Sequence, residues 1–282
     1  MCAHEIKDDV RQFYNQVGWQ KVSTGMYQNA QYEDLRPVSR DYIHKCHMRI
    51  NRHIKKDGRY LLDAGSGPIQ YPEYLTYSEG YQKRVCLDIS LVALLEAKQR
   101  IGEHGFFVVG DVSALPFKNE CFDAIVSLHT LHHLTEKDYR IAYLDLKRVL
   151  DKDGSAVVVN GWHESNFMRQ LGLLIRLMER ITAKREVTLT GQENASPVKQ
   201  KPQGTFVHKL DADGLREMLG KEFPVRILVW RSVSVRFLRA VIHPSLCGKL
   251  LLRVLYWLEE KFPYNFGENG QYPMVIFTKQ ES

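Results

Sequence analysis

From residue 59 onward the chain alternates short apolar runs with stretches whose apolar residues recur at helical spacing, and this alternation constrains the fold more than any other feature. Runs at 60–63, 84–88, 106–110, 122–128 and 155–160 have strand length, and helical patterns begin after them at Pro72, Leu91, Thr135 and Glu164. Nearly continuous apolar strands interleaved with helices read as a parallel sheet covered on both faces. Crossovers of this length are right-handed, which gives an α/β, doubly wound core at residues 57–160.

The flanks read differently. Residues 1–56 look helical and rich in aromatics (Phe13, Tyr14, Trp19, Tyr27, Tyr32, Tyr42), an N-terminal cap or lid. Beyond the core, residues 164–181 form an apolar helical run. Residues 190–204, rich in Gly, Pro, Gln and Lys, read as a loop suited to a hinge or lid. A helix is expected at 211–219 and strands at 225–229 and 274–278. Residues 57–282 thus form one domain with substrate-side insertions at 161–210 and 231–272. In 246–262, Leu250, Leu251, Val254, Leu255, Leu258 and Phe262 mark one helical face, expected to pack on the end of the sheet. Lys249, Arg253 and Lys261 beside that face, with Trp257, leave peripheral membrane contact as the alternative.

Composition narrows the class. With 44% hydrophobic and 26% charged residues the chain is globular rather than disordered. No run is long and apolar enough for a bilayer and the first residues lack a secretory core, so a cytoplasmic protein is expected. Five separated cysteines without Cys-x-x-Cys spacing read as reduced thiols. The net charge of +6 falls in residues 161–282, because charges balance over 1–160. It is weak support for an anionic partner.

The chemistry concentrates at strand ends. Leu61-Leu62-Asp63-Ala64-Gly65-Ser66-Gly67-Pro68 closes the first strand with a glycine turn through which a ligand can approach the backbone. It is not a phosphate loop, since no Gly-Lys-Ser/Thr follows, nor a dinucleotide turn, since Gln70 holds the third small position. Asp63 next to this turn suits an ammonium or sulfonium better than a phosphate. Asp88 ends the second strand, where a carboxylate can accept from both hydroxyls of a ribose. Asp111 and the Val112 N–H follow the third, placed to read an adenine edge.

With LLDAGSGP, VCLDIS, GDVSALPF, CFDAIVSLHTLHHL and LKRVLDKDGSAVVV in order over residues 59–160, the chain resembles the class I methyltransferases that use S-adenosylmethionine. The resemblance implies a Rossmann-like seven-stranded sheet ordered 3-2-1-4-5-7-6 with the seventh strand antiparallel. It further implies that Asp63, Ala64, Gly65, Gly67 and Pro68 surround the methionine part of the cofactor. Asp88 with Ile89 would hold the ribose and Asp111 with Val112 the adenine, while Leu128 and His129 would face the transferred methyl group. Pro68 departs from the small residue usual in the family.

His129 is the first candidate for a proton acceptor or substrate contact and His133 the second, although paired histidines here also serve as helix-start residues. A zinc site is not expected at His129, His132 and His133, which lack a cysteine or carboxylate at usable spacing. In the cap, Tyr14 or Tyr27 could cover the methionine part and Arg36 could pair with its carboxylate. Ser127-Leu128-His129-Thr130 stands where enzymes of this fold that methylate adenine or glutamine nitrogens carry Asn/Asp-Pro-Pro-Tyr/Phe. The expected acceptor is therefore a small, partly hydrophobic or anionic metabolite. The alternatives are an RNA-modifying enzyme, resting on Arg226, Arg231, Arg236, Arg239, Lys249 and Arg253, and a non-catalytic binding protein that kept the fold.

Overall fold

The computed structural model describes residues 3–15, 19, 33–190, 206–208 and 210–279. Seven strands form one sheet: β1 (Gly58–Ala64), β2 (Tyr81–Asp88), β3 (Gly105–Val109), β4 (Phe122–Leu128), β5 (Leu150–Val159), β6 (Arg226–Arg231) and β7 (Tyr272–Thr278). Their order is β3-β2-β1-β4-β5-β7-β6, parallel from β3 through β5, with β7 antiparallel to both neighbours. This is the order and the antiparallel strand that the family resemblance implied. Helices α1 (Ala3–Phe13) and α2 (Arg40–Met48) precede the sheet, and α3 (Pro72–Leu75), α4 (Leu91–Ile101) and α5 (Glu136–Val149) connect its strands. They are followed by α6 (Asn166–Gln170), α7 (Gly172–Thr190), α8 (Ala212–Leu219), α9 (Val235–Val241), α10 (Gly248–Lys261) and α11 (Pro263–Asn269).

Strand alternation sorts the apolar residues into two cores. Leu62, Leu87, Ile125 and Val158 pack on one face against Tyr143 and Leu146 of α5 and Leu215 of α8. Their neighbours Leu61, Cys86, Val126 and Val157 pack on the other, against Tyr77, Leu94 and Trp230. Side-chain caps set several helix starts: Ser90, Thr135, Ser165, Asp211 and Ser234 each accept the N–H three residues on.

A third core joins Val38, Tyr42, Ile43 and Cys46 to Leu238, Ile242 and Leu252. It binds α2 to α9 and α10, so Val38 to Cys46 pack onto the C-terminal insertion, while Ile50 and Ile54 join the second core on the sheet. Buried Glu259 is its polar hub, accepting from Tyr42 Oη (2.7 Å), Arg49 Nη2 (3.0 Å) and the Ser232 N–H (3.0 Å).

This hub turns α10 away from the expected orientation, leaving only Leu255 and Leu258 of the expected face partly buried. Leu252 and Glu259 are buried, whereas Leu250 (58% exposed), Leu251, Val254, Trp257 (57%) and Phe262 face outward. The hydrogen bonds of Glu259 to α2, its following 3-10 turn and Ser232 decide which face is inside. The single helix expected at 164–181 is two, α6 and α7. The insertion at 231–272 holds α9 and α11 in addition to α10. The loop expected at 190–204 lies outside the described residues after Thr190. No described helix is long and apolar enough to cross a membrane.

Candidate active site

One cavity of about 560 Å³ runs across the carboxyl ends of the strands, within the roughly 300–1,000 Å³ usual for small-molecule sites. Asp111 and Val112 after β3 line it, then Asp88 and Ile89 at β2, Gly65 to Pro68 after β1, and Leu128 to Thr130 at β4. Gly161 to His163 after β5, Arg231 ending β6 and Tyr272 opening β7 complete the row. The sheet order therefore lays the nucleotide-type residues at one end and a set of aromatic and ionic residues at the other.

In the first half the turn is tied to β2, since the Gly65 and Ser66 N–H groups donate to Leu87 O at 2.7 and 3.2 Å. Gly65 has φ +78°, and a Cβ there would fall 2.2 Å from Thr130 Oγ1, so no other residue fits without displacing β4's end. Gly67 has φ +54° with the Trp19 ring 3.0 Å from where its Cβ would lie. Pro68 is followed by Ile69 in a left-handed conformation.

Asp88 accepts from the Gly67 N–H and the Ser90 N–H, both at 2.8 Å. Burial pushes its carboxyl up to about 6, against the opposing pull of these two donors. Burial would also raise Asp111, but Lys7 Nζ, 2.7 Å away, and Ser113 hold it below the usual carboxylate range.

Three expected contacts are placed otherwise. Asp63 lines the cavity, but its carboxylate is engaged by the fully buried Arg84, whose Nε donates to it at 3.1 Å. Ala64 is sealed in the sheet, its carbonyl accepting from Ser127 Oγ at 2.7 Å. Arg36 does not reach the cavity; it forks onto Asp34 at 2.7 Å and donates to Leu238 O at 2.8 Å. Tyr27 lies outside the described residues.

Helix α1 lies across the mouth. Lys7, Val10, Phe13 and Tyr14, spaced to share one helical face, all line the cavity. Lys7 ties the helix to Asp111, after β3, and to Asp138 of α5 (2.9 Å). At the other end Tyr14 Oη is 2.9 Å from His133 Nε2, and the other ring nitrogen, Nδ1, is 2.9 Å from Phe206 O. A carbonyl only accepts, so Nδ1 carries the proton and Nε2 accepts from the tyrosine. His133 is thus committed to holding the mouth rather than facing an acceptor directly, and burial lowers its pKa so that it stays a neutral acceptor. Tyr14→Phe removes a bond of about 0.5–1.5 kcal/mol. Amide exchange over residues 5–15 should therefore quicken about two- to tenfold, and an unchanged exchange pattern would discard the latch.

In the second half His129 sits at φ +54°, a left-handed conformation rare outside glycine, asparagine and aspartate. Its ring meets Trp230 and Tyr272 edge-on, with centroids at 5.1 and 5.7 Å. One part of His129 faces the cavity, yet the surroundings are dry enough that desolvation, reinforced by Arg231, pulls its pKa down to about 4. His132 is also lowered, by burial and by His133 and His129, and its Nδ1 meets Asn160 Oδ1 at 3.2 Å.

Arg231 and Glu33 form a buried ion pair at the far wall, where burial alone would raise Glu33 but the guanidinium holds its carboxyl at about 2. Sequence reasoning had grouped Arg231 with basic residues facing phosphates and missed Glu33, Lys7, Tyr71, Tyr74 and Trp162 altogether. A basic residue ending a strand on the side of the glycine turn was the available signal for Arg231.

A doubly wound sheet of this order, with its glycine turn beside acidic strand ends, is the class I methyltransferase fold. Residues 62–158 match the family described as a methyltransferase domain. That match spans the strands that carry the glycine turn and the acidic strand ends, so over these residues the chain is similar to methyltransferase domains.

An uncharacterized protein of Methanocaldococcus jannaschii is 30% identical over 152 residues, 54% of this chain and 51% of its own. A demethylmenaquinone methyltransferase of Renibacterium salmoninarum is 30% identical over 145 residues, 48% of this chain and 58% of its own. The chain thus spans about half the length of these relatives. Phosphoethanolamine N-methyltransferase 2 of Haemonchus contortus, solved with S-adenosyl-L-methionine, matches 96% of this chain and 60% of its own, with TM-score 0.55 and 13% identity. The [4+2]-cyclase SpnF matches 96% of this chain and 95% of its own, with TM-score 0.51 and 16% identity. At these identities the likeness is one of fold.

Proposed function

We propose that the protein transfers a methyl group from S-adenosylmethionine to a small, partly apolar or anionic metabolite. The observation that carries this reading is the continuity of one cavity from Asp111 and Asp88 to His129, Tyr272 and Arg231. The cofactor supplies a methyl carbon already activated by its sulfonium. The protein's part is to align an acceptor with that carbon, to exclude water and to hold the acceptor's proton. In this reading Asp88 accepts from the ribose hydroxyls, the Val112 N–H and Asp111 meet the adenine edge, and the backbone at Gly65 and Gly67 lies along the methionine part. His129 stands at the end of β4, between that part and the acceptor half.

The recess beyond His129 is walled by Tyr71, Tyr74, Trp162 and Tyr272 and roofed by α1, a shape that admits a small molecule more readily than a folded RNA. The charge reading of RNA binding is weakened as well, because Arg231 is 2% exposed and Arg236 is paired with Glu179 at 2.8 Å.

Calorimetric titration with S-adenosylmethionine tests the cofactor half. Asp88→Ala should weaken binding about ten- to hundredfold through loss of charge-assisted hydrogen bonds. In the native protein Asp88 is ionised above about 6. Affinity should therefore be steady above that pH and fall, by up to about tenfold per unit, as pH drops through it. A folded Asp88→Ala protein of native affinity would remove Asp88 from the ribose site. Incubation with methyl-labelled cofactor and a metabolite extract identifies the acceptor; label appearing in RNA alone would overturn the small-molecule reading.

A further inference from the structure

We propose that the acceptor is a carboxylic acid with a flat apolar body, held by the Nε edge of Arg231. The word acceptor rests on the methyltransferase reading; the carboxylate site itself stands on the geometry of Arg231. This side chain lines the cavity at 2% exposure, with its guanidinium 4.5 Å above the Tyr272 ring. Its Nη1 donates to Glu33, whereas its Nε is buried and has no hydrogen-bond partner among the described residues. Buried donors of native proteins are almost always satisfied, so an unpartnered Nε–H on a side chain that lines the cavity asks for a ligand that accepts.

The geometry of a guanidinium narrows that ligand. Nε–H and the adjacent Nη2–H are parallel, coplanar donors that match the two oxygens of a carboxylate. Stacking on Tyr272 fixes the plane in which they point. The carboxylates lining the cavity already have donors: Asp63 has Arg84, Asp88 has two backbone N–H groups, Asp111 has Lys7, and Glu33 has Arg231. The unmet capacity at the far wall is therefore a donor, not an acceptor. A phosphate dianion would bring two charges next to Glu33 on the same guanidinium; a carboxylate brings one. Tyr71, Tyr272 and Trp162 supply flat walls, and Trp162 presents only its ring, because its Nε1 donates to Gly267 O at 2.8 Å. His129, with its ring 5.7 Å from that of Tyr272, would then lie beside the body of the bound acid.

The cofactor's own carboxylate is the competing occupant of the Arg231 edge. The effect of changing Arg231 on S-adenosylhomocysteine affinity separates the two occupants.

The test titrates the full chain with benzoate, 4-hydroxybenzoate, benzamide, benzylamine and phenyl phosphate, with and without S-adenosylhomocysteine. The carboxylates should bind at least tenfold more tightly than the amide, amine and phosphate. Replacing the pair together, as E33Q/R231Q, keeps the buried charges balanced if R231Q alone fails to fold. It should weaken carboxylate binding about ten- to hundredfold while changing S-adenosylhomocysteine affinity less than threefold. Preference for amine or phosphate, absence of carboxylate binding, or binding indifferent to Arg231 would overturn the proposal. So would a parallel loss of S-adenosylhomocysteine affinity, which would give Arg231 to the cofactor. Failure of S-adenosylhomocysteine to bind at all would overturn the methyltransferase reading instead, and the titrations without it still decide the carboxylate site.

Discussion

Replacing Arg84 with methionine is expected to lower folding stability by about 3–5 kcal/mol, the usual result of leaving one partner of a buried ion pair alone. Arg84 is fully buried on β2, in register with Leu61, and so lies diagonally across from Asp63 on the same face of the sheet. Its guanidinium bonds the Asp63 carboxylate and Tyr74 O. Methionine fills the space but leaves that carboxylate, 3% exposed, without its cation. The readout is the urea midpoint, and Asp63→Asn in the Arg84→Met background should recover more than half of the loss, since a buried amide is far cheaper than a buried charge. A midpoint shift equivalent to less than about 1 kcal/mol would contradict the pairing.

His129→Ala and His129→Asn are both expected to slow methyl transfer about 10²-fold at saturating cofactor, with cofactor affinity little changed. That figure is the lower end of general-base assistance, chosen because burial has already reduced the basicity of the ring. Asparagine is the sharper probe: it adopts the left-handed backbone at φ +54° more readily than alanine and keeps a polar contact while losing the base. Turnover restored by asparagine would assign His129 a hydrogen-bonding role. The pH profile gives an independent reading. The ring is a neutral base at every pH above about 4, so kcat should stay flat as pH falls from 8 to 5. Only binding of the cofactor should weaken below about 6, through Asp88. A kcat limb near 6.5 would point to a different base.

The glycine turn, Asp88, Asp111, His129 and most of the sheet were legible in the sequence because their signals are local. Strand burial shows as runs of apolar residues, helix starts as Ser, Thr or Asp at the cap, and a left-handed turn as Gly65 and Gly67 within a few positions of each other. Orientation and pairing were not legible, because they depend on partners brought from far along the chain. Apolar spacing in residues 246–262 marked Leu250 and Val254 as buried, yet Glu259 is inside, since Tyr42 and Arg49, more than 200 positions earlier, supply its hydrogen bonds. Arg231 read as surface charge until Glu33, 198 positions away, was placed against it. Tyr14 and His133, both named as candidates, turned out to hold each other across 119 residues.

The sequence by itself determined the layered sheet and the backbone geometry of the glycine turn after β1, since apolar period, glycine conformation and capping act over a few residues. Only the tertiary structure decided which charges are buried and what the acceptor end presents, because a charge enters a protein interior only when folding brings a distant group to meet it.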